Sequence, residues 1–168
     1  MRRFIPLLSS CVFILLIALA SVFSPFPLFI YNTTDSLPHG IYLVVPREYR
    51  YGDLVVFRVP DDVRTLVRER QWLPDDGFLM KRVAALPGDR VSTSGGHFVI
   101  EESDYGLVLD TDSMGRPMPG FDFCGILEEG VVVALAGSGN SFDSRYYGPL
   151  PVDAIIGVAF PLVLGDCF

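Results

Sequence analysis

The sequence predicts a mainly β domain behind one membrane-length apolar segment, with a single short helix. Three observations carry this. No charged residue occurs between Arg3 and Asp35. Beyond that stretch the apolar runs are short and often β-branched, and the chain's 16 glycines and 13 prolines interrupt them, as turns interrupt strands. One stretch, Asp62–Trp72, instead has Val63, Leu66 and Val67 at helical spacing with Arg and Glu between them.

Phe4–Phe23 gives 20 uncharged residues, about 30 Å as a helix, which matches the hydrocarbon core of a bilayer. Pro6 is tolerated in a first turn, and Pro25 and Pro27 oppose further helix. Arg2 and Arg3 stay on the cytoplasmic side, so the remainder is exported. Ala18-Leu19-Ala20 has the form of a signal-peptide cleavage site, which keeps a removable leader open. A retained anchor is the favoured reading, because apolar character continues through Leu28, Phe29 and Ile30. The chain thus divides into an anchor or signal segment over 1–30 and an exported domain over 31–168.

Within the exported domain, Ile41–Val45 and Leu54–Val59 read as strands, the second after a Gly52-Asp53 turn. Phe78–Ala85 is a strand closed by Pro87-Gly88-Asp89. Arg90–Ser92, Phe98–Ile100 and Leu107–Leu109 are short strands around Ser94-Gly95-Gly96. Asp112–Gly120 is a polar loop, and Val131–Leu135 and Ile155–Phe160 are the last strands. Trp72, Phe26, Phe29, Phe121 and Phe123 are candidate core or membrane-interface residues.

The formal net charge of −7 argues against a nucleic-acid partner, since phosphate binding needs clustered Lys and Arg. His39, His97 and the three cysteines have no metal-site spacing, so neither metal nor other cofactor is expected. Cys11 lies in the apolar segment. Cys124 and Cys167 form an exported pair, for which a disulfide is expected over two separate thiols. On the loop-entropy account the bridge is worth about 4 kcal/mol.

Three polar segments carry candidate chemistry. Ser36 lies in Thr34-Asp35-Ser36-Leu37-Pro38, just outside the apolar segment. A serine hydroxyl needs a base to become a nucleophile and donors for the developing oxyanion. The Ser36 backbone N–H and the Thr34 hydroxyl are candidate donors. Alone, the segment suits a polar turn between the apolar segment and a strand better than it does a nucleophile. Lys81 is the chain's sole lysine and, in a strand, shares an apolar face with Leu79 and Val83. Burial there lowers an amine's pKa towards that of a general base, whereas an edge-strand lysine would snorkel to water. Ser141-Phe142-Asp143-Ser144-Arg145 is the third segment, rich in turn formers. His39, three residues after Ser36, is the less favoured base.

Together these segments resemble the type I signal peptidase superfamily (peptidase family S26), and within it the conjugal transfer, TraF-type branch. Thr34, Ser36, Pro38, Gly40 and Tyr42 fit that branch's Thr-x-Ser-x-Pro-x-Gly-x-Tyr pattern. Lys81-Arg82-Val83-Ala84 followed by Pro87-Gly88-Asp89 resembles its lysine box. Gly139–Pro149 resembles its C-terminal box, and Gly52–Phe57 a structural strand box. The resemblance spans Asn32–Leu164 and implies a signal-peptidase-like β-barrel or sandwich. It implies a Ser36–Lys81 dyad, with Thr34 at the oxyanion hole and Ser141 orienting the Lys81 amine. Asp143 and Arg145 would form a supporting ion pair, and Asp143 would matter to activity.

The implied protein is a serine endopeptidase of the bacterial inner membrane. It crosses once, with its catalytic domain on the periplasmic side. Its partners would be the lipid bilayer and a membrane-inserted precursor, above all a pilin of a conjugative or type IV secretion system, with cyclisation of the product possible in this branch. The alternatives are a general signal peptidase with many preprotein substrates and a non-catalytic scaffold for pilus assembly.

Overall fold

The structure, a computed structural model, describes residues 10–12, 15–16, 24–74 and 76–165. Most of the anchor expected over Phe4–Phe23 lies outside these residues. Among the described residues, no helix is long and apolar enough to cross a membrane.

The described chain runs β1 (Phe29–Asn32), β2 (Gly40–Val45), β3 (Leu54–Arg58), α1 (Asp61–Glu69), β4 (Phe78–Ala85), β5 (Arg90–Ser94), β6 (His97–Ile100), β7 (Ser103–Leu107), β8 (Cys124–Ile126), β9 (Val131–Leu135), α2 (Ser144–Tyr147), β10 (Leu150–Pro151) and β11 (Ile155–Leu164). A larger antiparallel sheet has the order β1-β2-β11-β3-β4-β9-β10. A smaller one, β7-β6-β5-β8, is inserted between β4 and β9. The mainly β expectation holds.

Strand alternation builds two cores on the opposite faces of the larger sheet. Val55 and Phe57 of β3 join Leu79 and Val83 of β4 and Val132 and Ala134 of β9. Helix α1 covers this face with Val63 and Val67, four residues apart and hence on one side of the helix. Leu54 and Val56 point the other way, to Tyr42, Val44, Met80 and Ala159. A third cluster joins the two sheets, with Ala84 and Ala85 of β4 against Val91, Phe98 and Ile100.

Helix α1 has Asp61 and Asp62 in its first turn and Arg68 in its last, the distribution that its dipole favours. It ends before the predicted Trp72, because Gln71 takes a left-handed φ of 56°. The turned chain brings Trp72 to 5.1 Å from the Phe142 ring.

Several expectations are corrected. The apolar run Leu28–Ile30 does not simply extend the N-terminal segment: Phe29 and Ile30 belong to β1 and pair with Leu43 and Tyr42 of β2. The strand expected at Leu107–Leu109 lies earlier, as β7. The last strand continues four residues beyond Phe160 through Pro161. It can do so because β11 pairs with β3 only up to Val158 and with β2 thereafter, so one side needs no donor from Pro161. Cys124 on β8 is an exposed free thiol rather than half of a disulfide; its expected partner, Cys167, lies outside the described residues.

Candidate active site

Ser36 sits in the connection between β1 and β2, whose ends stay in register with Asn32 opposite Gly40. Gly40 has φ +148°, and a Cβ there would lie 2.1 Å from the Val163 carbonyl oxygen on β11. The Ser36 loop is therefore closed at its base by a backbone contact that only glycine permits. Leu37 packs against the core cluster of Tyr42 and Met80. The Tyr42 hydroxyl donates to the Pro38 carbonyl at 2.7 Å. Thr33, Thr34 and Asp35 are exposed, while Ser36 is half-buried.

Lys81 lies on β4 opposite Val55, on the face of Leu79 and Val83 that alternation predicts. It is 3% exposed. Its Nζ donates to Ser141 Oγ at 2.7 Å and lies 3.4 Å from Ser36 Oγ. Burial lowers its pKa from the ordinary 10.5 to about 8; Asp143 raises it and Arg145 lowers it by smaller amounts. An amine with that pKa is one-tenth neutral or thereabouts near pH 7.

Asp143 and Arg145 form the expected pair and are fully buried. Arg145 Nε donates to Asp143 Oδ1 at 2.9 Å, and Nη2 to Oδ2 at 2.9 Å. Asp143 caps α2, accepting from the Arg145 backbone N–H, and also accepts from the Ala136 N–H at 3.0 Å. The outer guanidinium nitrogen donates to the Ser138 carbonyl at 3.0 Å and the Ser141 carbonyl at 3.4 Å. Both charges are thus satisfied, as burial requires, and the loop bearing Ser141 is tied to strand β9. Gly148 ends α2 at φ +78°, where a Cβ would meet the Phe121 ring at 2.6 Å.

Thr34 Oγ1 is 3.1 Å from Ser36 Oγ, but it donates to Asn32 Oδ1 at 2.8 Å. His39 pairs with Asp35 at 3.1 Å on the exposed side of the loop. The sequence reading missed Asn32, which is buried beneath the loop. The available signal was alternation, since Ile30 and Asn32 share the inner face of β1. Ser36, Lys81 and Ser141 open into a groove of about 700 Å³ whose apolar walls include Trp72, Leu79 and Phe142. A half-exposed hydroxyl beside a buried, weakly basic amine, at the mouth of an apolar groove, is suited to acyl transfer from an extended peptide.

The family model described as signal peptidase, peptidase S26, matches residues 1–164. A plasmid transfer protein TraF from Escherichia coli is 30% identical over 143 residues, covering 79% of this chain and 81% of that protein. A conjugal transfer protein TraF from Agrobacterium fabrum is 32% identical over 154 residues, covering 80% and 82%. A signal peptidase I crystal structure from Enterococcus faecalis aligns with 68% of this chain and 98% of its own, at a TM-score of 0.39 and 18% identity. The match along nearly the whole chain and the shared identity with the transfer proteins lead to one assignment: the chain belongs to the signal peptidase family S26, as a TraF-type member.

Proposed function

We propose that the protein is a membrane-anchored serine endopeptidase in which Ser36 is the nucleophile and Lys81 its general base. The observation that carries this reading is the position of the Lys81 amine, buried, weakly basic, and 3.4 Å from Ser36 Oγ. That contact is at the long end for a hydrogen bond, and such contacts tighten when substrate excludes water.

Neutral Lys81 takes the Ser36 proton as Oγ attacks the scissile carbonyl. The oxyanion is met by the Ser36 backbone N–H and by the Thr34 hydroxyl once it turns from Asn32. The resulting lysinium donates its proton to the departing amine, leaving an acyl-enzyme ester on Ser36. Water, deprotonated by Lys81, releases a free acid; an amine of the substrate's own chain instead closes a ring. Ser141 aims the Lys81 amine throughout, and the Asp143–Arg145 pair holds the Ser141 loop.

The proposed substrate is a membrane-inserted pilin precursor of a conjugative system, with the enzyme in the bacterial inner membrane and its domain on the periplasmic side. This accords with relatives named as conjugal transfer proteins. The test uses detergent-solubilised wild type, Ser36→Ala and Lys81→Ala with a conjugative pilin precursor, read by product mass. A shorter product from the wild type alone is expected, and a cyclic product is one water lighter than the linear one. Equal processing by all three overturns the dyad. Cleavage of unrelated preproteins as well would favour a general signal peptidase.

A further inference from the structure

Asn32 is a buried polar side chain at the end of β1, and the proposed chemistry gives it no role beyond holding the resting Thr34 hydroxyl. It is 6% exposed, and its carboxamide reaches across the base of the Ser36 loop. Nδ2 lies within donating distance of three carbonyls, those of Thr34 at 3.0 Å, Leu37 at 3.0 Å and Pro38 at 3.1 Å. Oδ1 accepts from the Thr34 backbone N–H at 3.2 Å and from the Thr34 hydroxyl at 2.8 Å. The orientation of the amide is fixed by this chemistry: three carbonyls require the nitrogen on one side, and a backbone N–H requires the oxygen on the other.

One side chain therefore fastens the residues on both sides of Ser36. Thr33, Thr34, Asp35, Pro38 and His39 are exposed. The loop's other ties among the described residues include the Leu37 contact, the Tyr42–Pro38 bond, the Gly40 closure, the Gly165 N–H donated to the His39 carbonyl at 2.9 Å and the His39–Asp35 pair, and of these only the exposed His39–Asp35 pair also spans Ser36. A second consequence concerns the proton on Thr34. With that proton given to Asn32 Oδ1, the 3.1 Å contact between the two hydroxyls leaves Ser36 as donor and Thr34 as acceptor. Before substrate binds, Asn32 thus sets both where Ser36 Oγ sits and which way its neighbour's hydroxyl points.

We infer that Asn32 is a positioning residue for Ser36: its carboxamide holds the loop so that Ser36 Oγ stays within reach of the Lys81 amine. The inference rests on the reading of Ser36 as nucleophile. Misplacing a nucleophile by about 1 Å costs up to roughly 100-fold in rate, so the loss expected for Asn32→Ala is roughly 10- to 100-fold. Asn32→Asp keeps the oxygen that Thr34 uses but turns a second acceptor towards three carbonyls, and it is expected to lose at least as much.

The test acylates detergent-solubilised full-length protein with p-nitrophenyl acetate, an activated ester that needs no substrate recognition, and follows the p-nitrophenolate burst. The burst seen with Ser36→Ala is subtracted as background. Amplitude counts competent sites, and the burst rate constant reports positioning. For Asn32→Ala and Asn32→Asp the expected result is a preserved amplitude and a rate constant lowered roughly 10- to 100-fold, with an unchanged pH midpoint for Asn32→Ala, which brings no charge near Lys81, and a raised midpoint where Asn32→Asp adds a carboxylate. A lowered amplitude at an unchanged rate constant would make Asn32 a folding residue only and overturn the inference. A rate constant within about twofold of wild type would overturn it while leaving Ser36 as nucleophile. A wild-type burst no larger than that of Ser36→Ala overturns the underlying reading instead.

Discussion

Ser141 accepts a 2.7 Å hydrogen bond from the Lys81 amine across 60 residues of sequence, and this bond is shorter than the 3.4 Å contact between Lys81 and Ser36. The amine is anchored by Ser141 more closely than it contacts Ser36. Ser141→Ala removes the anchor and leaves Lys81 buried with one partner fewer. Activity on a cleavable precursor is expected to fall roughly 10- to 100-fold in kcat with KM little changed, as measured by steady-state kinetics. A change confined to KM would place Ser141 in substrate binding instead.

Activity should follow the neutral form of Lys81. Its pKa of about 8 means that the base is lost as pH falls below that value. The rate is expected to drop about tenfold per pH unit on the acid side, with a plateau above the midpoint. A pH–rate profile flat from 6 to about 9 would exclude Lys81 as the base.

The same burial has a cost in stability. Lowering the pKa from 10.5 to about 8 corresponds to about 3 kcal/mol. Below pH 8 the folded chain must hold a buried ammonium. Between the two values the unfolded chain binds a proton that the folded one does not, so stability rises with pH across that window. The difference between wild type and Lys81→Met in denaturant unfolding should show this rise in the wild type alone. Identical pH dependence in both chains would mean that the amine keeps its ordinary pKa.

Asp143→Ala leaves the Arg145 guanidinium buried, with its two side-chain bonds to the carboxylate gone. Breaking a buried pair from one side costs about 3–5 kcal/mol. Thermal unfolding is expected to show a loss of that order, with activity falling because the guanidinium that holds the Ser138 and Ser141 carbonyls loses its own anchor. A Tm within about 1 °C of wild type would contradict a structural role for the pair.

Gly40→Ala tests how the Ser36 loop is closed. The new Cβ would lie 2.1 Å from a β11 carbonyl at a φ of +148°, and the cost is about 2 kcal/mol or more. Activity should fall further than stability, since β2 and β11 are forced apart beside the Ser36 loop. Unaltered folding and activity would show that the loop does not depend on this contact.

Much of the site was legible because each residue sits in a local pattern. Lys81 stands in an apolar alternation that fixes its face, and the β3 and β4 runs are long enough to specify a central pair. The Asp143–Arg145 pair was expected from the resemblance of Gly139–Pro149 to the family's C-terminal box, since spacing alone does not make two such side chains meet. Asn32 was hidden because its partners are backbone carbonyls of a loop whose path only the fold defines. Strand β1 was absorbed into the apolar N-terminal run, where composition alone draws no boundary between membrane segment and strand. β8 and β10, of three and two residues, exist through pairing with β5 and β9, a tertiary effect that outweighs local propensity. Cys124 was paired with Cys167 on expected compartment alone, and compartment carries no geometry.

The most direct test of the dyad is the mass of the enzyme itself during turnover. Acid-quenched wild type caught with a cleavable precursor is expected to carry an ester adduct on the peptide containing Ser36, and Lys81→Ala none. An adduct on any other residue, or full turnover by Ser36→Ala, would contradict the account.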